Sequence, residues 1–207
     1  MVDYKVESNK TALIIVDLQN LFVEGYSVSP ANGLDILDKL NKLAEICREH
    51  GIQVIHTAHV LRPDGSNIGT LAEMVPSVRE GHLYEGAVAA ELHPDLVVKS
   101  GDIVLNKPRF GAFQGTDLEM ILRSNGIDTT IIGGISTNVC CETTAREANA
   151  RDFKVLFLSD GTATSGAGDL SAEEVQRASC STLARVFAQV LTINEVTAKI
   201  SEAVLVR

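Results

Sequence analysis

The chain of 207 residues is 45% hydrophobic and 22% charged, an ordinary balance for a globular protein, and it is long enough for one sizeable core, so a single domain over residues 1–207 is expected. A formal net charge of −9 argues against a nucleic-acid partner, which would need a basic face. The apolar runs reach only about six residues, far short of the ~20 of a membrane-spanning helix, and the opening "MVDYKVESNK" lacks the apolar stretch of a secretory signal; no membrane partner and a cytoplasmic location are expected.

Along the chain, apolar and β-branched runs alternate with helix-like stretches. The strand candidates are 11–17 (TALIIVD), 52–58 (IQVIHTA), 102–107 (DIVLNK), 128–134 (DTTIIGG) and 154–160 (KVLFLSD), with a weaker sixth at 188–193 (AQVLTI). Their apolar character is continuous rather than alternating, as in strands buried on both faces. Between the first two, "LDILDKLNKLAEICREHG" puts Leu37, Leu40, Ala44 and Cys47 on one helical stripe, which Gly51 ends. The segment 59–101 is loop-rich, with "RPDGSN" a turn signal, and is too long for a plain connection, so part of it is expected to cover a site. "TDLEMILRSNG" reads as a helix opened by a capping box of Thr116 with Glu119, and "SAEEVQRASCSTLARVF" repeats the device with Ser171 and Glu174. Strands alternating with helices predict an α/β fold: an open, mainly parallel six-stranded sheet with helices on both faces.

The four cysteines are Cys47, Cys140, Cys141 and Cys180. No CxxC spacing occurs, which disfavours a zinc or thioredoxin-type motif, and reduced thiols are the simplest reading. Cys47 and Cys180 fall on helices, where a free cysteine behaves as a small hydrophobe.

In folds of this class ligands bind beyond the carboxyl ends of the strands. The first strand ends at Asp17, the third at Lys107 and the fourth in "GGISTNVCC". Singly, these residues read as a helix cap, a surface charge and core packing; jointly, an acid, a cation and a thiol at one sheet edge suggest chemistry. A free thiol titrates near 8.5, and a helix N-terminus and a lysine would both favour its thiolate. A carboxylate in reach can take the thiol proton and deliver it to a leaving amine.

Three stretches carry a resemblance to a known family: "ALIIVDLQNLF", "KPRFGAF.GTDLEMILRSNGI" and "GISTNVCCETTAREA". Over roughly residues 11–192 the chain resembles the isochorismatase-like cysteine hydrolases, in the amidase branch that includes N-carbamoylsarcosine and ureido amidohydrolases. The resemblance implies a Rossmann-like sheet of six strands and a cofactor-free hydrolase that cleaves a C–N bond of a small amide, carbamoyl or ureido compound through a thioester. It places the nucleophile on Cys140, since Thr137-Asn138-Val139-Cys140 matches T-x-x-C, and leaves Cys141 in a position usually held by valine. Asp17 becomes the general base, Lys107 the helper cation, and the N–H groups of Ser136 and Cys140 the oxyanion hole, with a cis peptide at Ile135–Ser136. Phe22, Arg109 and Phe113 are candidates for substrate contact, Arg109 through a substrate carboxylate. Nicotinamidase-like members bind a metal through D-x-H after the second strand; here His59 replaces the Asp and Leu61 the first His, so no metal is expected. A homo-oligomer, dimer or tetramer, is implied as well. An isochorismatase-type ether hydrolase and a nicotinamidase are the alternative enzymes. A binding protein without turnover is a further class, disfavoured by the intact Cys, Asp and Lys set.

Overall fold

A computed structural model describes residues 2–205 of the chain. Six strands, β1 (Thr11–Val16), β2 (Gln53–His59), β3 (Ile103–Lys107), β4 (Thr129–Ile135), β5 (Lys154–Ala163) and β6 (Gln189–Leu191), form one sheet in the order β3-β2-β1-β4-β5-β6. Every pairing is parallel, so the sheet is wholly rather than mainly parallel. β5 runs past its expected end because its pairing with β4 shifts register between Ile132 and Gly134, after which Gly134 pairs with Thr162. The helices are α1 (Asn20–Val23), α2 (Gly33–Glu49), α3 (Leu71–Met74), α4 (Pro76–Arg79), α5 (Leu118–Ser124), α6 (Glu142–Asn149), α7 (Ala172–Val186) and α8 (Ile193–Leu205). Among the described residues no helix is long and apolar enough to cross a membrane.

Period-two alternation sends the strand side chains to two cores. Leu13, Ile15, Ile131 and Leu156 pack with Leu37, Leu40, Ala44 and Cys47 of α2 and with Val196 and Ile200 of α8. Ala12, Ile14, Ile132 and Phe157 pack on the other face with Leu118 and Leu122 of α5, Ala145 and Ala148 of α6, and Leu183 of α7. Helices therefore cover both faces, and the strands are buried on both sides. A third, smaller cluster joins Leu21 of α1 to Leu61, Leu71, Val78, Leu83 and Ala89, so much of the 59–101 segment folds down beside the strand ends.

The helix termini divide. Gly51 takes φ +72 just after α2, and Ser171 and Glu174 form the expected capping box at the start of α7. The Thr116–Glu119 box does not form. α5 begins at Leu118 after Asp117, and the Thr116 hydroxyl donates to the Ala112 carbonyl at 2.6 Å while accepting from the Leu118 N–H at 3.2 Å. The Glu119 carboxylate is drawn instead to Arg123 and Arg151, each at 3.1 Å, because two guanidinium groups attract it more strongly than one backbone N–H.

Candidate active site

The sheet order reverses between β1 and β4, and that switch point is where Asp17 and the Cys140 turn emerge. Directly after β1, Asp17 takes φ +53, a left-handed conformation that Asp tolerates better than most residues. Across the sheet from the preceding Val16 is Gly134 at φ +131, where a Cβ would lie 2.1 Å from the Val16 carbonyl oxygen; a side chain there would push the two strand ends apart.

Asp17 is fully buried. The Thr57 hydroxyl donates to its Oδ1 at 2.7 Å. The Lys107 ammonium stands 2.7 Å from its Oδ2, off the hydrogen-bond direction, so this contact is an ion pair. The same ammonium donates to the carbonyls of Arg109 at 2.9 Å and Phe110 at 2.8 Å. Burial disfavours the Lys107 charge, but Asp17 and the two cysteines together outweigh it and hold the lysine above its ordinary pKa.

Cys140 sits in a single π-turn, Thr137–Cys141, that runs directly into α6. The Ile135–Ser136 peptide before it is cis. The turn is fastened from three sides. The Thr137 hydroxyl donates to Gln176 Oε1, and Gln176 Nε2 donates to the Ser159 carbonyl and to Thr162 Oγ1, both at 2.9 Å. Thr164 donates to Asn138 Oδ1 at 2.6 Å. Thr144 donates to the Cys140 carbonyl at 2.7 Å and accepts from the Ala112 N–H at 3.1 Å, tying the turn to the loop after Lys107.

Only 4% of Cys140 is exposed. Burial pushes its thiol up to about 12; the Lys107 ammonium pulls it down, the Asp17 carboxylate pushes it up, and the Ser136 N–H favours the thiolate. Burial thus works against the thiolate that the lysine favours, because loss of water around the sulfur outweighs the lysine. Cys141 has no exposed surface and packs in the second core, and burial raises its thiol further still.

Asp17, Lys107, Cys140 and Ser136 thus converge. The three candidate contact residues lie as follows. Half-buried Phe22 bridges the first and third cores. The Arg109 guanidinium donates through Nη1 to the carbonyls of Asn67 at 2.8 Å and Pro108 at 2.6 Å and so ties down the 62–70 loop. Phe113 lies 5.8 Å from the Phe153 ring with the Arg151 guanidinium 5.1 Å over its face, a packing environment. Among the described residues no three His, Cys, Asp or Glu side chains gather closely enough to hold a metal ion.

Three further residues stand around the site. Thr57 orients Asp17, and its signal was available: it faces Val16 in the β1–β2 register, one residue before the acid. Gln19 does not reach Asp17; its amide receives the His59 N–H at 2.7 Å and donates to the His59 carbonyl at 3.1 Å and the Ala90 carbonyl at 2.6 Å. His59 is fully buried at the same sheet end.

Comparison with known proteins shows relatives of the chain in sequence and in fold. The isochorismatase domain family matches residues 11–195. An isochorismatase of Bacillus subtilis (strain 168) is 32% identical over 86% of this chain, which spans only 54% of that protein's length. The ureidoacrylate amidohydrolase RutB of Methylorubrum extorquens is 30% identical, with 77% of this chain and 72% of that protein covered. The crystal structure of a cysteine hydrolase from Pseudomonas syringae pv. phaseolicola 1448A superposes with a TM-score of 0.92 at 35% identity, covering 98% of this chain and 97% of that one.

Proposed function

The chain belongs to the isochorismatase family, and from that premise we propose that it is a cysteine-dependent amidohydrolase acting on a small amide, carbamoyl or ureido compound. The observation that carries the reading is the Asp17–Lys107 ion pair buried at 2.7 Å beside the Cys140 thiol of the strand-end turn.

In this reading the Cys140 thiol gives its proton to Asp17 as sulfur attacks the substrate carbonyl. The N–H groups of Ser136 and Cys140 receive the developing oxyanion. Asp17 passes the proton to the departing nitrogen, which leaves as ammonia or an amine, and a thioester remains on Cys140. Asp17 then takes a proton from water, hydroxide adds to the thioester, and the acid leaves as the proton returns to sulfur. Lys107 holds Asp17 in place across 2.7 Å and lowers the cost of thiolate formation. Because the resting thiol is protonated, sulfur is activated only at the moment of attack, by the neighbouring base.

Two features support the amide side of the family. RutB is named for cleaving an amide-type bond, and the site carries a thiol nucleophile. The named isochorismatase favours the ether-hydrolase alternative, which needs no thiol. Ammonia release from a panel of primary amides, carbamoyl and ureido compounds tests the proposal, with isochorismate as the competing substrate. Turnover of at least one panel member by the wild-type protein and none by Cys140→Ala is expected. Isochorismate cleavage that survives Cys140→Ala would overturn it.

A further inference from the structure

His59 is the buried polar side chain at this sheet end that the proposed mechanism leaves unused. It closes β2 directly opposite Lys107 in the parallel register, and two residues after Thr57, whose hydroxyl touches Asp17. Period two and cross-strand pairing put Thr57, His59 and Lys107 on one face of the sheet, the face shared by Ile55 and the Cys140 turn. The ring has no exposed surface. It stands edge-on to Phe110, with centroids 5.7 Å apart and planes at 83°. Its backbone is gripped on both sides by the Gln19 amide, so the ring cannot swing out with its strand.

Neither ring nitrogen has a hydrogen-bond partner among the described residues. The neighbours explain why. The Lys107 ammonium is committed to the Arg109 and Phe110 carbonyls and to Asp17, and the Thr57 hydroxyl to Asp17. Neither the lysine nor the threonine is left to donate to the imidazole. The ring is also uncharged: burial, then the Lys107 ammonium, pull it down to about 4, against weaker opposing pulls from Asp17 and the nearby Pro108 carbonyl. A neutral imidazole has one N–H and one lone pair. The Pro108 carbonyl lies on the side that suits the N–H, although without hydrogen-bond geometry. The other nitrogen is unpaired and close to Lys107 and Asp17, which are committed to each other. A buried acceptor with no donor is costly in the free protein, and it is matched by a ligand that brings an N–H.

We propose that His59 is a specificity-determining residue whose imidazole accepts a hydrogen bond from an N–H of the amide or ureido group being cleaved. The proposal rests on the amidohydrolase reading and adds to it the means of telling an amide from an ester: an ester of the same shape has no N–H to give. Discrimination of this kind comes from a buried polar group left unpaired by the wrong substrate.

Two measurements test it. In the first, kcat/KM is followed for ureidoacrylate, or failing that the best amide of the panel, and for p-nitrophenyl acetate in wild type, His59→Phe and His59→Gln. The amide should fall about 10- to 100-fold in His59→Phe, the ester should change little, and His59→Gln, which keeps an acceptor, should recover part of the amide activity. In the second, the imidazole nitrogen resonances of Cys140→Ala protein are followed during titration with methylurea and with methyl acetate. The lone-pair nitrogen of His59 should move with methylurea alone. An equal fall for amide and ester, or a His59 resonance indifferent to methylurea, would overturn the proposal. If the ester is hydrolysed and no amide of the panel is, the amidohydrolase reading falls, and the methylurea titration alone decides His59.

Discussion

Asp17 and Lys107 face each other at 2.7 Å with both side chains wholly withdrawn from solvent. Such a pair is weak evidence for stability, since desolvation offsets most of the attraction, but breaking it is costly because one charge is left alone in the interior. Lys107→Met should therefore destabilise the protein by about 3–5 kcal/mol in urea denaturation at neutral pH. The double variant Asp17→Asn/Lys107→Met, which carries no buried charge there, should recover much of the loss. An unchanged unfolding midpoint in Lys107→Met would show that the pair is solvated and the buried description wrong.

The two adjacent cysteines should separate cleanly. Both lie in the second core, but only Cys140 keeps some exposure and comes within hydrogen-bond reach of Asp17. Cys140→Ala should abolish turnover and leave the melting temperature nearly unchanged. Cys141→Val, a volume-conserving apolar change, should keep turnover and cost less than about 1.5 kcal/mol. Loss of activity in Cys141→Val at normal stability, with Cys140→Ala still active, would reverse the assignment.

The raised thiol has a pH signature. With Cys140 pushed up to about 12, its thiolate fraction is small at neutral pH and still rising at pH 10. The rate of iodoacetamide labelling at Cys140, followed by peptide mass analysis, should increase about tenfold per pH unit from 7 to 10 without a plateau. A plateau below pH 8 would restore a preformed thiolate and remove the need for Asp17 as the activating base.

The sequence made the sheet legible because each strand is a continuous apolar run, a signal that survives without any tertiary information. Asp17, Lys107 and the Cys140 turn were legible for a related reason: each is the first chemically active residue after such a run. Thr57 and His59 were harder to read. Both lie inside a strand, and only the pairing of β2 with β1 and β3 shows that they face the acid and the lysine. The bonds of Arg109 to the carbonyls of Asn67 and Pro108 were not legible, because they are set by how the 59–101 segment folds back. The Thr116–Glu119 box failed for the same reason, its glutamate being claimed by Arg151 from beyond the next helix.

Away from the site, Asp102 gives an acid-stability prediction. Burial pushes its carboxyl up, but Arg48, with contacts of 2.7 and 3.0 Å, the Lys99 N–H and His56 outweigh it and hold it at about 2. A folded-state pKa below the unfolded value means the stability is present above pH ~4 and lost as pH falls toward ~2. The shift is worth roughly 2 kcal/mol. Asp102→Asn should lower stability by about that amount at pH 7, flatten the decline between pH 4 and 2, and leave turnover unchanged. An acid limb identical to wild type would show that other carboxylates carry it.

Asp17→Asn separates chemistry from architecture. The amide keeps nearly the same shape and can still accept from Thr57, but it accepts no proton from the thiol and gives none to the leaving nitrogen. Loss of a general acid–base group typically costs 10²–10⁴-fold in rate, and because Asp17 is proposed for both acylation and deacylation, neither half-reaction should be spared. The variant also strands the Lys107 ammonium in the interior, so it should be destabilised as well, and a slow rate alone would not distinguish lost chemistry from lost fold. The double variant Asp17→Asn/Lys107→Met removes that ambiguity. It should melt closer to wild type than either single variant and still hydrolyse nothing. If Asp17 were only a turn-forming cap, its loss would cost ~1 kcal/mol and leave the reaction alone. Turnover and melting temperature measured together on the double variant decide the matter: a folded protein with near-normal turnover would take Asp17, and the proton path through it, out of the mechanism.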